Sequence, residues 1–450
     1  MAKVMQGGLT PHPPQPPPPP GGMAWHDRAV IVPAPADLQD LVRELHQSGT
    51  PWLPAGLASR LDWGAAIAQP CEVVSAAGLR GILEHSPGDF IVRVAAGTPL
   101  LELQQELAAH GQWLAVDVPP LTSAGRSIGG VPVPDPLRRG GSVGGLVARG
   151  LAGGYRQRYL GVRDQLIGIR ILRADGIEAR AGGKVVKNVA GYDLMRLFAG
   201  SWGSLGLITE VTLRTMPLPQ HRVGLLLQGP APALVEQAAG VLRSGLSPER
   251  LDLWSPALAD AAGLGAEPTL LVALASVSAG SLREQLETIE GSPLRSQRCD
   301  AGELESLLAA AGPQVLLAEE EDPAAWLLRL GATPSRLAEL LLHPALEGVA
   351  VDLAAGAGLG LAWAPAGVLA AERVLELRRL CRELGGHLAV LRQPQPPAGA
   401  PALPAWEDAS SRALIEAVKA QFDPKLQLAP GRLPGVARPR CTTPGAGAAG

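Results

Sequence analysis

Cysteine is rare and scattered. Cys71, Cys299, Cys381 and Cys441 are the only four in 450 residues, and no two share the C-x-x-C spacing of an iron–sulfur cluster or structural zinc site. Reduced thiols are the expectation. Aromatic side chains are as sparse: Phe, Tyr and Trp supply 3% of the chain, so Leu and Ala must fill the core. With 18% charged residues and a net charge of −3, there is no basic field for nucleic acid and no acidic tail. The eight histidines form no HxxH or HExxH pair, so no metal site is expected. No apolar run has membrane-spanning length, and MAKVMQGGLT lacks the apolar stretch of a signal peptide. The expectation is a cytoplasmic chain with no direct membrane span, peripheral to the inner membrane at most through partners.

Glycine (55) and proline (43) are abundant instead. Residues 1–23 hold PHPPQPPPPPGG, which is polyproline II or disordered, and residues 436–450 read as a second tail. Between them, AVIVPAPADLQDLVRELHQSGTPWLPAG predicts strand, helix, strand, with Leu38, Leu41, Val42 and Leu45 at helical spacing. DFIVRVAAGTPLLELQQELAAHGQWLAVDVP repeats the rhythm. There Leu100, Leu103 and Leu107 share a face, Thr98 is the expected N-cap and Gly111 the stop. GVRDQLIGIRILRADGIEAR predicts a hairpin turning at Asp175-Gly176. Residues 24–219 form one block on this reading. Residues 220–400 form a second, richer in Ala and Leu, whose β/α alternations suggest a small ferredoxin-like α/β domain. Residues 401–435 return with a final helix and QLAPGRLPG.

Three glycine-rich turns stand in the first block: LPAGLASRLDWG, GGSVGGLVARGLAGGYRQRYLGVRD, and GGKVVKNVAGYD leading into LMRLFAGSWGSLGLITEV. None is a G-x-G-x-x-G fingerprint on a strand-to-helix turn. GAGLG at 356–360 has the wrong spacing and lies in the second block. Side-chain-free turns let backbone N–H groups approach phosphate oxygens, and three in one α/β block point to a large nucleotide cofactor.

These segments, with AQFDPKLQLAPGRLPG near the C-terminus, resemble the FAD-binding subunit of bacterial glycolate oxidase. That family belongs to the vanillyl-alcohol-oxidase/p-cresol-methylhydroxylase (PCMH-type) class of flavoproteins. The resemblance is strongest over residues 140–219. It implies an α+β fold: a PCMH-type two-subdomain FAD-binding domain over 24–219, a small cap over 220–400, and a segment over 401–435 returning to the flavin side. Carried over by motif, Ala55, Gly56, Leu57, Ala58, Ser59 and Arg60 would hold pyrophosphate. Ser142, Gly144, Gly145 and Gly150 would form a second cradle, and Gly161 and Asp164 would line the site. Gly191, Gly206, Ile208 and Thr209 would meet the cofactor. The first loop has Leu57 and Ala58 where relatives often carry glycine or asparagine, and Ala429 stands where asparagine is common.

The first loop contains no histidine for covalent attachment, so non-covalent FAD is expected. His387, in ELGGHLAVLR, is the candidate base, against a purely structural role in its strand. Arg432 could pair with a substrate carboxylate or close a salt bridge. Lys187 and Tyr192 are weighed between cofactor contact and ordinary loop or packing roles, and Arg163 and Asp164 between orienting the loop and pairing with each other. The resemblance implies a catalytic flavoprotein subunit and an iron–sulfur subunit as partners, and a small 2-hydroxy acid as substrate. Two other readings stay open: a stand-alone FAD-dependent 2-hydroxy-acid dehydrogenase, and a structural subunit with weak or no FAD binding.

Overall fold

Leu38, Val42 and Leu45 all turn inward from one face of a helix, as their spacing requires. The computed structural model describes residues 30–117, 140–183, 192–312, 325–396 and 401–437. In it β1 (Val30–Ile31), β2 (Trp52–Ala55) and β3 (Glu72–Ser75) form a parallel sheet in the order β1–β3–β2. Helix α1 (Leu38–Ser48) makes the crossover, and Gly49 ends it at φ 73°.

The second sheet is antiparallel. Its strands are β4 (Ile82–Ser86), β5 (Ile91–Ala95), β7 (Leu166–Leu172), β8 (Glu178–Gly182) and β9 (Leu207–Arg214), in the order β4–β5–β9–β7–β8. The short β6 (Gln112–Trp113) pairs apart from it with β10 (Met216–Pro217). The β7–β8 hairpin turns at Asp175-Gly176, with Gly176 at φ 74°. Helix α2 (Leu100–Ala108) buries Leu100, Leu103 and Leu107 beside Val143 and Leu146 of α3 (Val143–Arg149). Thr98 does not cap α2. Its hydroxyl accepts from the Gly81 amide at 2.9 Å, and Pro99 takes the N-cap position. Asp193 precedes the single 3-10 turn Leu194–Leu197 without a side-chain capping bond and pairs with Arg196 at 3.2 Å.

The third sheet has eight antiparallel strands: β11 (His221–Gln228), β12 (Arg250–Trp254), β13 (Thr269–Ser276), β14 (Arg295–Cys299), β15 (Ala325–Gly331), β16 (Ala350–Ala354), β17 (Leu359–Pro365) and β18 (Leu388–Arg392). Their order is β14–β11–β13–β12–β16–β17–β15–β18. The sequence suggested one ferredoxin-like unit, and the sheet contains two. In the first, α4 (Ala231–Arg243) and α5 (Ala279–Glu290) connect β11 to β12 and β13 to β14. In the second, Leu337–Leu341 and α7 (Ala371–Glu383) do the same for β15 to β18, after α6 (Ala301–Ala310). Each unit runs fourth–first–third–second, and antiparallel pairing of β12 with β16 fuses them edge to edge. GAGLG spans the β16–β17 turn.

Alternation along these strands sorts side chains between two faces. Leu225, Leu227, Leu251, Leu253, Leu328 and Leu330 pack under the helices. Leu226, Trp254, Leu327, Trp363 and Leu391 face the other way, against Trp63 of the first glycine-rich loop. The loop and this sheet also meet where the Gly64 amide donates to the Leu391 carbonyl at 2.6 Å and Arg392 pairs with Asp62 at 3.2 Å.

A second junction is polar. Arg222 makes two 2.8 Å bonds to Glu249 and lies over the Trp113 ring at 4.8 Å, and Tyr159 donates to Glu249 at 2.8 Å. Arg250 sits among Asp117, Asp252 and Asp352 at 3.5, 2.6 and 3.7 Å. Burial and the neighbouring Asp252 carboxylate push the Asp352 pKa upward against the pull of Arg250.

The last segment closes the first sheet. Phe422 of α8 (Arg412–Phe422) meets Phe198 edge-on at 5.5 Å. Trp52 of β2 then donates to Gln427 at 2.9 Å and accepts from Ala429 at 2.8 Å. Buried Lys419 locks this return: its Nζ donates to the carbonyls of Ser204 (2.7 Å) and Leu428 (2.9 Å) and to Asp423. Asp423 in turn accepts from the amides of Gln427 and Leu428.

Candidate functional site

Sheet ends and glycine turns converge on one open cleft, the kind of concave surface on which ligand sites are built. Ala55, Gly56, Leu57, Ala58, Ser59 and Arg60 leave β2 along one wall. Ser142, Gly144 and Gly145 open α3 on another, Gly206 and Ile208 enter β9, and Arg432 arrives from the C-terminal return.

The loops touch each other closely, which is what their glycines permit. A Cβ on Gly56 would lie 1.9 Å from the Ser142 hydroxyl, and one on Gly144 2.7 Å from the Ala96 Cβ. The second turn's amides are already used: Gly144 donates to Ala96 at 2.8 Å and Gly145 to the Ser142 hydroxyl at 3.1 Å. Its glycines therefore serve close packing more than anion binding.

The first turn differs. The amides of Gly56, Leu57, Ala58 and Ser59 donate to no acceptor among the described residues. Ala58 adopts φ 53°, the left-handed conformation that, among right-handed neighbours, gathers successive amides into an anion-binding nest. Ala429 is also left-handed, at φ 44°. Asparagine tolerates that region better than alanine, a backbone reason for it at this position.

Three guanidinium groups line the cleft: Arg60, Arg149 and Arg432. Arg60 and Arg149 lie over the Trp63 ring at 5.4 and 5.8 Å. Burial, then the charge of Arg149, holds Arg60 well below its ordinary pKa, partly offset by Asp62. Burial alone pushes Arg149 down to about 10. The Nε and Nη2 of Arg149 are buried without a hydrogen-bond partner among the described residues. Arg432 is buried and donates to the Leu61 carbonyl. Desolvated cations beside a nest of free amides fit the pyrophosphate of a dinucleotide.

Other expected site residues fall elsewhere. Gly150, Gly161 and Asp164 line a second cavity. Gly150 is the left-handed C-cap of α3, and Asp164 accepts from the Gly161 amide at 3.2 Å and not from Arg163. Thr209 lines neither cavity: its hydroxyl donates to the Arg170 carbonyl at 3.1 Å. His387 also lines neither. It is exposed, four residues before the Leu391 junction, about 13 Å along an extended chain. Partial desolvation and the charge of Arg329 lower its pKa. Tyr192 is 86% exposed. Gly191 and Lys187 lie outside the described residues.

Sequence reasoning missed Arg149, Trp63 and Trp202 as lining or supporting groups. The available signal was a lone arginine closing the helix GGLVAR.

Residues 27–182 match the family described as FAD binding domain. Glycolate oxidase subunit GlcE of Escherichia coli (strain K12) is 36% identical over 146 residues, 32% of this chain and 37% of that protein. The mitochondrial D-lactate dehydrogenase (cytochrome) of Arabidopsis thaliana is 26% identical over 274 residues, 59% of this chain and 44% of that protein. Glycolate oxidase subunit GlcD of Bacillus subtilis (strain 168) is 28% identical over 248 residues, 54% and 46% of the two. The match thus spans less than half the length of each of these relatives. A solved structure of alkyldihydroxyacetonephosphate synthase superposes with a TM-score of 0.61 at 14% identity, covering 89% of this chain and 75% of that one. The fold is that of the PCMH-type FAD-binding flavoenzymes, and FAD is the cofactor of its FAD-binding domain.

Proposed function

We propose that this chain is the FAD-binding subunit of a glycolate oxidase or dehydrogenase complex. It would act with a catalytic flavoprotein subunit and an iron–sulfur subunit in oxidising glycolate, a 2-hydroxy acid, to glyoxylate. The observation that carries the reading is the cleft itself: four free amides and buried, desolvated arginines within a domain matched to FAD-binding proteins. The similarity to glycolate oxidase subunits supports the substrate class and the complex.

Non-covalent FAD, when bound, supplies a two-electron acceptor for the hydride leaving the α-carbon. Gly56 to Ser59 would offer amides to its phosphates, while Arg60 and Arg149 would neutralise their charge. Ser142 holds the second turn in place, and Arg432 ties the C-terminal return to the first loop through Leu61. Trp63 and Trp202 exclude water from the wall facing the eight-stranded sheet.

The stand-alone dehydrogenase is the second reading, favoured by the longer match to D-lactate dehydrogenase. Purifying the chain alone and with its partners, then recording flavin absorbance and glycolate-dependent dye reduction, separates the two. FAD bound by the chain alone, with turnover only in the complex, is expected. Full turnover by the isolated chain supports the second reading, and a chain that takes up no FAD overturns both.

A further inference from the structure

The second cavity lies between residues 150–164 and β15 of the eight-stranded sheet. Arg156, Arg163 and Arg329 line it, and none of the three side chains forms an ion pair or a hydrogen bond among the described residues. Asp164, the carboxylate in its wall, is already engaged by the Gly161 amide. Three guanidinium groups thus face a cavity whose lining holds one carboxylate, an excess of positive charge. Arg329 is half-buried, and desolvation followed by the charge of Arg156 lowers its pKa. An arrangement of this kind costs free energy that a bound anion recovers.

The position of Arg329 follows from the strand. Leu328 and Leu330 point under the helices, so Arg329 projects from the opposite face, beside Ala199 and the end of α3. Arg149 faces the flavin cleft and Gly150 lines the second cavity, so the two spaces flank one helix end.

We propose that this second cavity binds a small carboxylate anion, anchored by Arg329 with Arg156 and Arg163 at its mouth, separately from the flavin cleft. Planar guanidinium groups match a carboxylate in two parallel hydrogen bonds, which a lysine cannot reproduce. The carboxylate can come from the reacting 2-hydroxy acid, in which case the site rests on the proposed function, or from a non-reacting acid that modulates the protein.

Calorimetric titration of the full chain with glycolate, oxalate and inorganic phosphate, at low and high salt, tests this. A carboxylate should bind the native chain, and Arg329→Leu should weaken it by about ten- to a hundredfold without altering FAD uptake or melting. Arg329→Lys should recover part of the loss. Arg149→Met should leave carboxylate affinity unchanged. Binding of glycolate identifies the reacting acid as the source; binding of oxalate alone identifies a modulator, and either supports the site. Carboxylate binding by a chain that takes up no FAD would sink the proposed function and leave the site standing. If Arg329→Leu fails to fold, the exposed pair Arg156→Gln and Arg163→Gln gives the same reading. Unchanged affinity in a folded Arg329→Leu protein overturns the proposal. So does selective binding of phosphate, or equal binding of all three anions that salt abolishes.

Discussion

Arg149 is buried with no ion-pair partner among the described residues, and that cost makes sense beside a polyanion. Arg149→Met should lower FAD affinity by about ten- to a hundredfold and flatten its salt dependence, read by flavin fluorescence titration at two ionic strengths. Ala58 tests the nest itself. A β-branched side chain at its left-handed φ is strained, so Ala58→Val should cost about 1–3 kcal/mol of stability and weaken FAD uptake. Ala58→Gly should retain both, which denaturant unfolding with and without FAD would check. The first loop's place on the cleft was legible because glycine density and the resemblance named Ala55 to Arg60 directly. Arg149 was not, since nothing in GGLVARG tells which way its last side chain turns. Thr98 misled for a related reason: a hydroxyl before Pro99 reads as a cap, yet Gly81 brings a better-placed amide from a distant turn.

Elements were read well where apolar spacing dominates. Leu38, Val42 and Leu45 on α1, and Leu100, Leu103 and Leu107 on α2, are buried as their period demands. The doubling of the ferredoxin-like unit was not visible, because pairing of β12 with β16 joins residues about a hundred positions apart and leaves no local signature. The C-terminal return rests on one buried ion pair. Lys419→Met would strand Asp423, which has no exposed surface, and should cost about 3–5 kcal/mol. Chemical denaturation should show that loss, and limited proteolysis should cut the variant between α8 and Arg432 earlier than the parent.

At the scale of the molecule, the junction of three carboxylates around Arg250 makes stability depend on pH. Asp352 has a folded pKa raised from the ordinary 3.8 to about 8, so it holds its proton in the fold and releases it when unfolded. Its contribution is therefore present at low pH and lost as pH rises through that window, with a slope of at most about 1.4 kcal/mol per pH unit. Asp352→Asn should flatten this decline, measured as melting temperature from pH 5 to 8.5. None of this was readable beforehand: Asp117, Arg250 and Asp352 come from three separate regions, and only folding makes them neighbours.

The pinning of Leu428 and Ala429 onto Trp52, with Arg432 tied to Leu61, also sets an order of assembly. A ribosome delivers Gly56 to Ser59 early and Arg432 some 370 residues later, so the wall that completes the cleft is among the last parts of the described chain to emerge. Cofactor retention is therefore expected only once the C-terminal return has folded back. A nascent chain stalled before Asp423 should carry a folded first sheet and retain little flavin.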